Sequence, residues 1–306
     1  MIETNIPVSC AEVVGLGQAC VDYLGDLPFY PLEDSKAELR SLVIQCGGPA
    51  STALITLASF GIKTSFIGSI SDDFSGCKIK ENLLKKGVDI SCLKITPGFT
   101  SQLAFITVSA GSGKRTVFWH RGTVPHLKAT DVDISHFGSA KILHLDGLME
   151  EASIKAAEQA KDMGIHIVLD AGTLREQSIK LVSLSDTVIV SEGFVSSIST
   201  PGACHKDSLE YLRSLGPETA VITLGENGSI GLDKQGSVSQ KAFDVKVIDT
   251  TGAGDVYHGA YIYAMLNSWG MARCMHFASA AAALKCRSPG AQQGIPTLEE
   301  IAQIVG

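Results

Sequence analysis

The chain predicts an α/β fold: a mostly parallel central sheet in a three-layer αβα sandwich, with a small second sheet laid over one edge. Three observations carry this. Short apolar runs alternate with longer runs of helical period, two extended segments fall outside that rhythm, and the chain ends in consecutive helical patterns. Repeated strand–helix alternation gives a parallel sheet covered on both faces.

The strand-like runs are 12–17, 64–70, 141–145, 165–170, 187–190 and 220–224. Between them lie helical patterns at 49–60, 73–86, 150–163 and 207–215. Helices then follow at 253–267, 271–285 and 297–304. The two segments outside the rhythm are Leu27 to Gln45, loop-rich and then extended, and Gln102 to His120, which reads as a hairpin with its turn at Ala110 to Gly113. Gly111, Ser112 and Gly113 supply the backbone freedom such a turn needs. We expect segments 27–45 and 99–122 to form a β-lid within a single domain spanning 1–306. It would sit over the strand ends where ligands bind in open α/β folds.

Composition narrows the function. Hydrophobic residues make up 45% and charged residues 19%, which suits a globular enzyme with a buried sheet. A net charge of −7 argues against nucleic acid or an anionic membrane as partner. It does not argue against a nucleotide bound in a local cradle. The eight cysteines form no C-x-x-C pair and no zinc spacing, and read as free thiols. Residues 1–10 lack the pattern of a signal peptide, and no apolar run reaches spanning length, so a cytoplasmic location is expected.

The chemistry concentrates in Asp249-Thr-Thr-Gly-Ala-Gly-Asp255, between an extended apolar run (Phe243 to Ile248) and a helix. Amides at a helix N-terminus make an anion site, and the small Gly252, Ala253 and Gly254 let a phosphate approach the main chain. Asp255, in the first helical turn, either caps the helix or accepts a proton from an attacking hydroxyl. A phosphate cradle beside a base is the minimal apparatus for phosphoryl transfer to an alcohol.

Other features are weaker alone. Gly17 and Asp22, in GLGQACVD, fail the dinucleotide fingerprint because Cys20 stands where a small residue is needed. A carboxylate past a strand end suits sugar hydroxyls instead. GSGK at 111–114 fails as a P-loop, since Val108 stands at its first glycine position and a hairpin surrounds it. Gly47 and Gly48 precede a helix, with Pro49 at its first turn. Thr223 to Gly228 closes a strand with a tight turn. Arg115, His120 and Arg121 lie on the lid, where two arginines ordinarily mark a solvated face. Asp170 is read as a solvated loop carboxylate, His258 as helix surface or a supporting residue, and Ala281 to Ala283 as packed core.

With Asp249 and Thr250 in front and Gly259 to Ile262 behind, this motif resembles the second signature of the PfkB (ribokinase-like) carbohydrate kinases. The resemblance runs from Gly17 to Pro296. It implies a ribokinase-like core and an ATP-dependent sugar kinase that uses Mg²⁺, with Asp255 as general base and Gly252, Ala253 and Gly254 as the anion hole. Asp22, Gly47, Gly48 and Thr52 become substrate contacts, although the family usually has Asn where Thr52 aligns. Arg121 becomes a specificity residue. Thr223, Gly225, Gly228 and Ser279 would lie along the nucleotide.

The family's N-x-x-E element is altered to Ser191-Glu192-Gly193-Phe194, which leaves Glu192 to organise Mg²⁺ through water. Asp249 and the 287–290 loop would hold a monovalent cation such as K⁺. Lid-mediated homodimers occur among relatives. The closing stretch looks most like a subgroup including sulfofructose kinase and resembling ketohexokinase. No sulfonate-holding Arg stands near Leu145 to Met149, so a neutral ketose or a sugar acid is preferred, with ribose-like sugars and nucleosides open. The competing readings are a nucleoside kinase of the same fold, a non-catalytic sugar-binding regulatory protein, and an NAD-binding oxidoreductase, the last disfavoured by the failed fingerprint.

Overall fold

A computed structural model describes residues 9–109, 115–199 and 204–306. The expected turn at Ala110 to Gly113 and the GSGK stretch lie outside the described residues. In chain order the elements are β1 (Val13–Leu16), β2 (Cys20–Leu27), β3 (Ser41–Gly47), α1 (Pro49–Ser59), β4 (Thr64–Ile70), α2 (Phe74–Lys85), β5 (Leu93–Ile95), β6 (Leu103–Ser109) and β7 (Arg115–His120). There follow β8 (Ile142–Leu145), α3 (Glu150–Met163), β9 (His166–Ala171), α4 (Ser178–Leu184), β10 (Thr187–Ser191), α5 (Glu192–Ile198) and α6 (His205–Ser214). The last are β11 (Thr219–Thr223), β12 (Ser229–Asp233), β13 (Gly236–Gln240), α7 (Ala253–Leu266), α8 (Met271–Lys285) and α9 (Leu298–Val305).

The main sheet runs in the order β13-β12-β11-β10-β9-β8-β1-β4-β5. From β11 to β5 every pairing is parallel, and β12 and β13 add an antiparallel edge. Successive side chains on a strand point to opposite faces. Val13, Ile189 and Val221 therefore pack with α1, α7 and α8 on one side, while Val14, Val188 and Ile222 pack with α3 and α6 on the other. This is the three-layer arrangement the sequence predicts.

Local signals place the helices. Pro49 fills the first position of α1, where a missing N–H costs nothing. The Asp73 carboxylate accepts the Gly76 N–H at 2.8 Å and starts α2. Thr297 and Glu300 form a capping box at α9. The buried face of α3 is Ala152, Ala156, Ala157 and Ala160, which lets that helix lie close against the sheet.

The second sheet has the order β3-β2-β6-β7, with β6 and β7 antiparallel as the hairpin reading expects. It begins earlier than Leu27, at Cys20. Asp22 therefore stands inside a lid strand rather than just past the end of β1. A second correction concerns Phe243 to Ile248. This run joins no strand; the sheet edge ends at Gln240, and Val247 and Ile248 are more than half exposed. β12 and β13 went unpredicted, since SIGLDKQGSVSQ is too polar to read as a buried strand, and so did β5, which is only three residues long.

Register defines the two faces of the lid. Ile44, Tyr23, Phe105 and Phe118 pair across the four strands and share one face. The Tyr23 and Phe105 rings stack at 4.8 Å. Gln45, Asp22, Ala104 and Trp119 form the neighbouring row and share the opposite face.

Candidate active site

The strand ends of β8, β9, β10 and β11 converge on the first turn of α7. Gly252 caps that helix at φ 75°, a left-handed conformation that glycine adopts without strain. A side chain there would also press into Ala291, 2.7 Å from its Cα. Of the three amides expected in the anion hole, Ala253 N–H is engaged by the Thr250 carbonyl at 3.2 Å. Among the described residues Gly252 and Gly254 donate to no backbone partner. An added Cβ on Gly254 would meet nothing within 4 Å. That open space in front of a helix N-terminus is what an approaching phosphate needs.

Two cavities meet here. The smaller, about 360 Å³, is lined by Asp146, Asp170, Arg175, Gly254, Asp255 and His258 among others. The larger, about 800 Å³, is a groove between the β11–β12 turn, the 242–247 segment and α8. Gly254 and Thr223 line both. Asp255 thus faces the smaller cavity from the point where the two join.

Burial, then the neighbouring Asp170, pushes the Asp255 carboxyl up to about 7, and no hydrogen bond lowers it. Asp170 is itself raised to about 8 by burial and by Asp146. Asp170 is not the solvated loop carboxylate expected: it lies in β9 at 9% exposure, against the same cavity. Burial raises Asp146 to about 6, while the amides of Gln18 (2.6 Å) and Leu148 (3.0 Å) hold its carboxylate. A side chain at Gly17 would collide with that carboxylate, which explains the glycine better than a dinucleotide does.

His258 is buried rather than on the helix surface. Its Nδ1 lies 2.7 Å from the Gly254 carbonyl, so Nδ1 carries the proton. Burial lowers its pKa, and its Nε2 lies between the Ile189 carbonyl at 3.4 Å and Asp170 Oδ1 at 3.5 Å. His258 therefore positions the peptide that follows Gly254.

Asp22 is 3% exposed, pushed up by burial, and accepts from Cys20 Sγ at 3.1 Å. A side chain at Gly47 would strike its carboxylate. Gly48 has φ 103°, and a Cβ there would lie 2.6 Å from the Gln18 carbonyl. These glycines keep the lid strands and the β1–β2 connection in close contact. Thr52 is fully buried and accepts from Gln292 Nε2 at 3.2 Å, away from both cavities. Arg121 lies on the surface just after β7, also outside both linings. Instead Arg115 reaches inward from the lid, donating to Thr250 Oγ1 at 3.2 Å, and lines the groove.

Gly225, Gly228, Thr223 and Ser279 all line the larger groove, together with Ala282 and Ala283, which are not core as read, unlike the fully buried Ala281. Phe243, Val245 and Val247 form its other wall. The apolar run that resembled a strand is thus a flank of the groove. Glu192 points outward, half-exposed, 3.6 Å from His205, while Ser191 lines the smaller cavity. Among the described residues no group of three His, Cys, Asp or Glu is placed to hold a metal ion. Sequence reasoning missed Asp146 and Arg175. The Asp-Gly pair directly after a strand was the available signal for Asp146; Arg175 had none.

Asp255 and the helix amides beside it lie at the junction of a small polar cavity and a long groove, at the strand ends of a three-layer α/β core. A family model described as pfkB family carbohydrate kinase matches residues 11–298. The chain is 28% identical to a ribokinase of Haemophilus influenzae over 300 residues, covering 95% of this chain and 97% of that protein. It is 26% identical to a 5-dehydro-2-deoxygluconokinase of Clostridium perfringens, covering 96% and 92%. An E. coli structure described as a putative ribokinase II in complex with ATP and Mg²⁺ superposes with a TM-score of 0.84 at 21% identity, covering 96% and 99%. The chain belongs to the pfkB family of carbohydrate kinases, and it is an ATP-dependent kinase with the ribokinase-like fold.

Proposed function

We propose that this kinase transfers the γ-phosphoryl group of ATP to a hydroxyl of a small sugar, with Asp255 as general base. The position of Asp255 at the meeting point of the two cavities carries the reading. The nucleotide lies along the larger groove, its base between the Phe243 to Val247 wall and the small residues of α8. Its terminal phosphate reaches Gly254. The sugar lies under the lid beside Asp22 and Asp146, whose carboxyl oxygens match hydroxyl groups.

Asp255 takes the proton from the attacking hydroxyl. The Gly252 and Gly254 amides take charge developing on the phosphoryl oxygens. Mg²⁺ fits the oxygen-rich smaller cavity: such an ion keeps several waters and binds phosphates with one or two carboxylates. Asp146 would hold those waters, joined by Asp170 once it loses its proton, and the ion would supply charge neutralisation between phosphates. Arg175, the cation in the smaller cavity, favours a sugar acid over a neutral ketose.

ADP release measured across ketoses, sugar acids, ribose and nucleosides tests this. A sugar acid should give the highest kcat/KM, and Arg175→Ala should erase that preference. No turnover with any acceptor sinks the kinase reading and leaves a sugar-binding protein. A nucleoside preference selects the alternative within the same chemistry.

The apolar row Ile44, Tyr23, Phe105 and Phe118 supports a homodimer through the lids. Phe105 and Phe118 are each about half exposed, on a face turned away from Asp22. A second copy offers the same row by two-fold symmetry. Light scattering at micromolar concentration should give a dimer, and Phe118→Glu should give a monomer. A monomeric wild type refutes this arrangement.

A further inference from the structure

The residues present do not fit the monovalent cation that Asp249 and the 287–290 loop were expected to hold. A cation competes with hydrogen-bond donors for the same oxygens. Asp249 Oδ1 already accepts from Thr251 N at 2.8 Å and Thr251 Oγ1 at 2.7 Å. Its Oδ2 accepts from Gly290 N at 2.6 Å. The 287–290 loop therefore presents an amide donor to Asp249. These bonds outweigh burial and hold the Asp249 carboxylate below the usual range.

The remaining oxygen, the Asp249 carbonyl, accepts from Lys285 Nζ at 2.9 Å. Lys285 is the last residue of α8 and is fully buried. A buried ammonium is costly unless it is paired, so a fully buried lysine in this place calls for a role. Burial lowers its pKa, Asp249 pulls it back up, and the field of Asp255 also reaches it. Its charge lies behind the loop that presents the free amides.

We propose that the Lys285 ammonium occupies the place of a monovalent cation against the Asp249 carbonyl, which makes this enzyme independent of K⁺. An ammonium and K⁺ are close in size and charge, and both sit at similar distances from a carbonyl oxygen. A second cation beside Lys285 would meet like-charge repulsion next to a carboxylate whose two oxygens already accept hydrogen bonds. The rate consequence rests on the kinase reading above; the occupancy does not.

Wild-type kcat/KM should agree within about twofold in K⁺, Na⁺ and tetramethylammonium at equal ionic strength. Its melting temperature should be the same in all three. Lys285→Met keeps most of the side chain's length, vacates the place of Nζ and removes the charge. That variant should lose at least tenfold in kcat/KM in tetramethylammonium and recover saturably with K⁺. Its melting temperature should rise with K⁺ alone. A K⁺-specific gain of tenfold in wild-type rate, or a K⁺-specific melting shift of the wild type, overturns the proposal. So does a Lys285→Met variant that ignores K⁺ in both assays, because Lys285 would then be only a strut. If the variant does not fold, the wild-type rate and melting arms still decide. If no acceptor is phosphorylated, the kinase reading fails and the melting arms still report on occupancy.

Discussion

Asp255→Asn should fold, bind nucleotide and sugar, and lose about 10²–10⁴ in kcat, the range for removing one general base. Asn keeps the shape of the side chain and cannot accept the hydroxyl proton. The free amides of Gly252 and Gly254 remain, so the residual rate is the part of catalysis they supply. Because Asp255 titrates at about 7 in the free protein, wild-type kcat/KM should fall about tenfold per pH unit below that point. The acid limb should be absent in Asp255→Asn. Wild-type turnover in the variant, or a flat wild-type profile from pH 5 to 8, removes the proposed role.

The same substitution should stabilise the free protein. The folded pKa of Asp255 lies above the unfolded one, as do those of Asp170 and Asp146. Between the ordinary carboxylate range and about 8, the folded state therefore binds more protons than the unfolded state. Stability contributed by these groups is present below pH 4 and is lost as pH rises through the folded values. Asp255→Asn removes one such charge. Its Tm at pH 8 should exceed the wild type by about 1–2 °C, the shift given by roughly 1 kcal/mol in a chain of this length. The gap should shrink towards pH 4.

Local chemistry made the glycine turn and the carboxylate facing the cavity legible. A small-residue turn before a helix, with Asp in the first turn, has one physical reading at the anion site and one for the base, and both need only adjacent residues. The parallel sheet was legible for a similar reason, since Val188 to Val190 of β10 are buried on both faces and read as an unbroken apolar run. Long-range groups were not legible. Asp170 faces His258 across 88 residues of chain, and its burial depends on α7 covering the end of β9. Phe243 to Ile248 carries strand-like composition but lines a groove, because apolar alternation reports a buried surface and not what covers it. Thr52 and Lys285 meet partners far along the chain, Gln292 and Asp249, which no local pattern links to them.

Gly254→Ala separates the demands of folding from those of phosphate binding. Gly254 is the second residue of α7, its φ is not left-handed, and a methyl group there touches nothing. Alanine is favoured over glycine in a helix by up to about 1 kcal/mol, less in a first turn, so the variant should be at least as stable as the wild type. That methyl would project into space lining both cavities, where the terminal phosphate must meet the Gly254 amide. Displacing a phosphoryl oxygen from one such donor costs about 10²–10³ in rate. We therefore expect kcat/KM for ATP to fall by about 10² with unchanged or raised Tm. Sugar affinity measured without nucleotide should not change. Gly252→Ala should behave differently: its left-handed φ and the nearby Ala291 backbone should lower Tm as well as rate. A Gly254→Ala enzyme that retains full activity would mean that the terminal phosphate does not pass over this helix end.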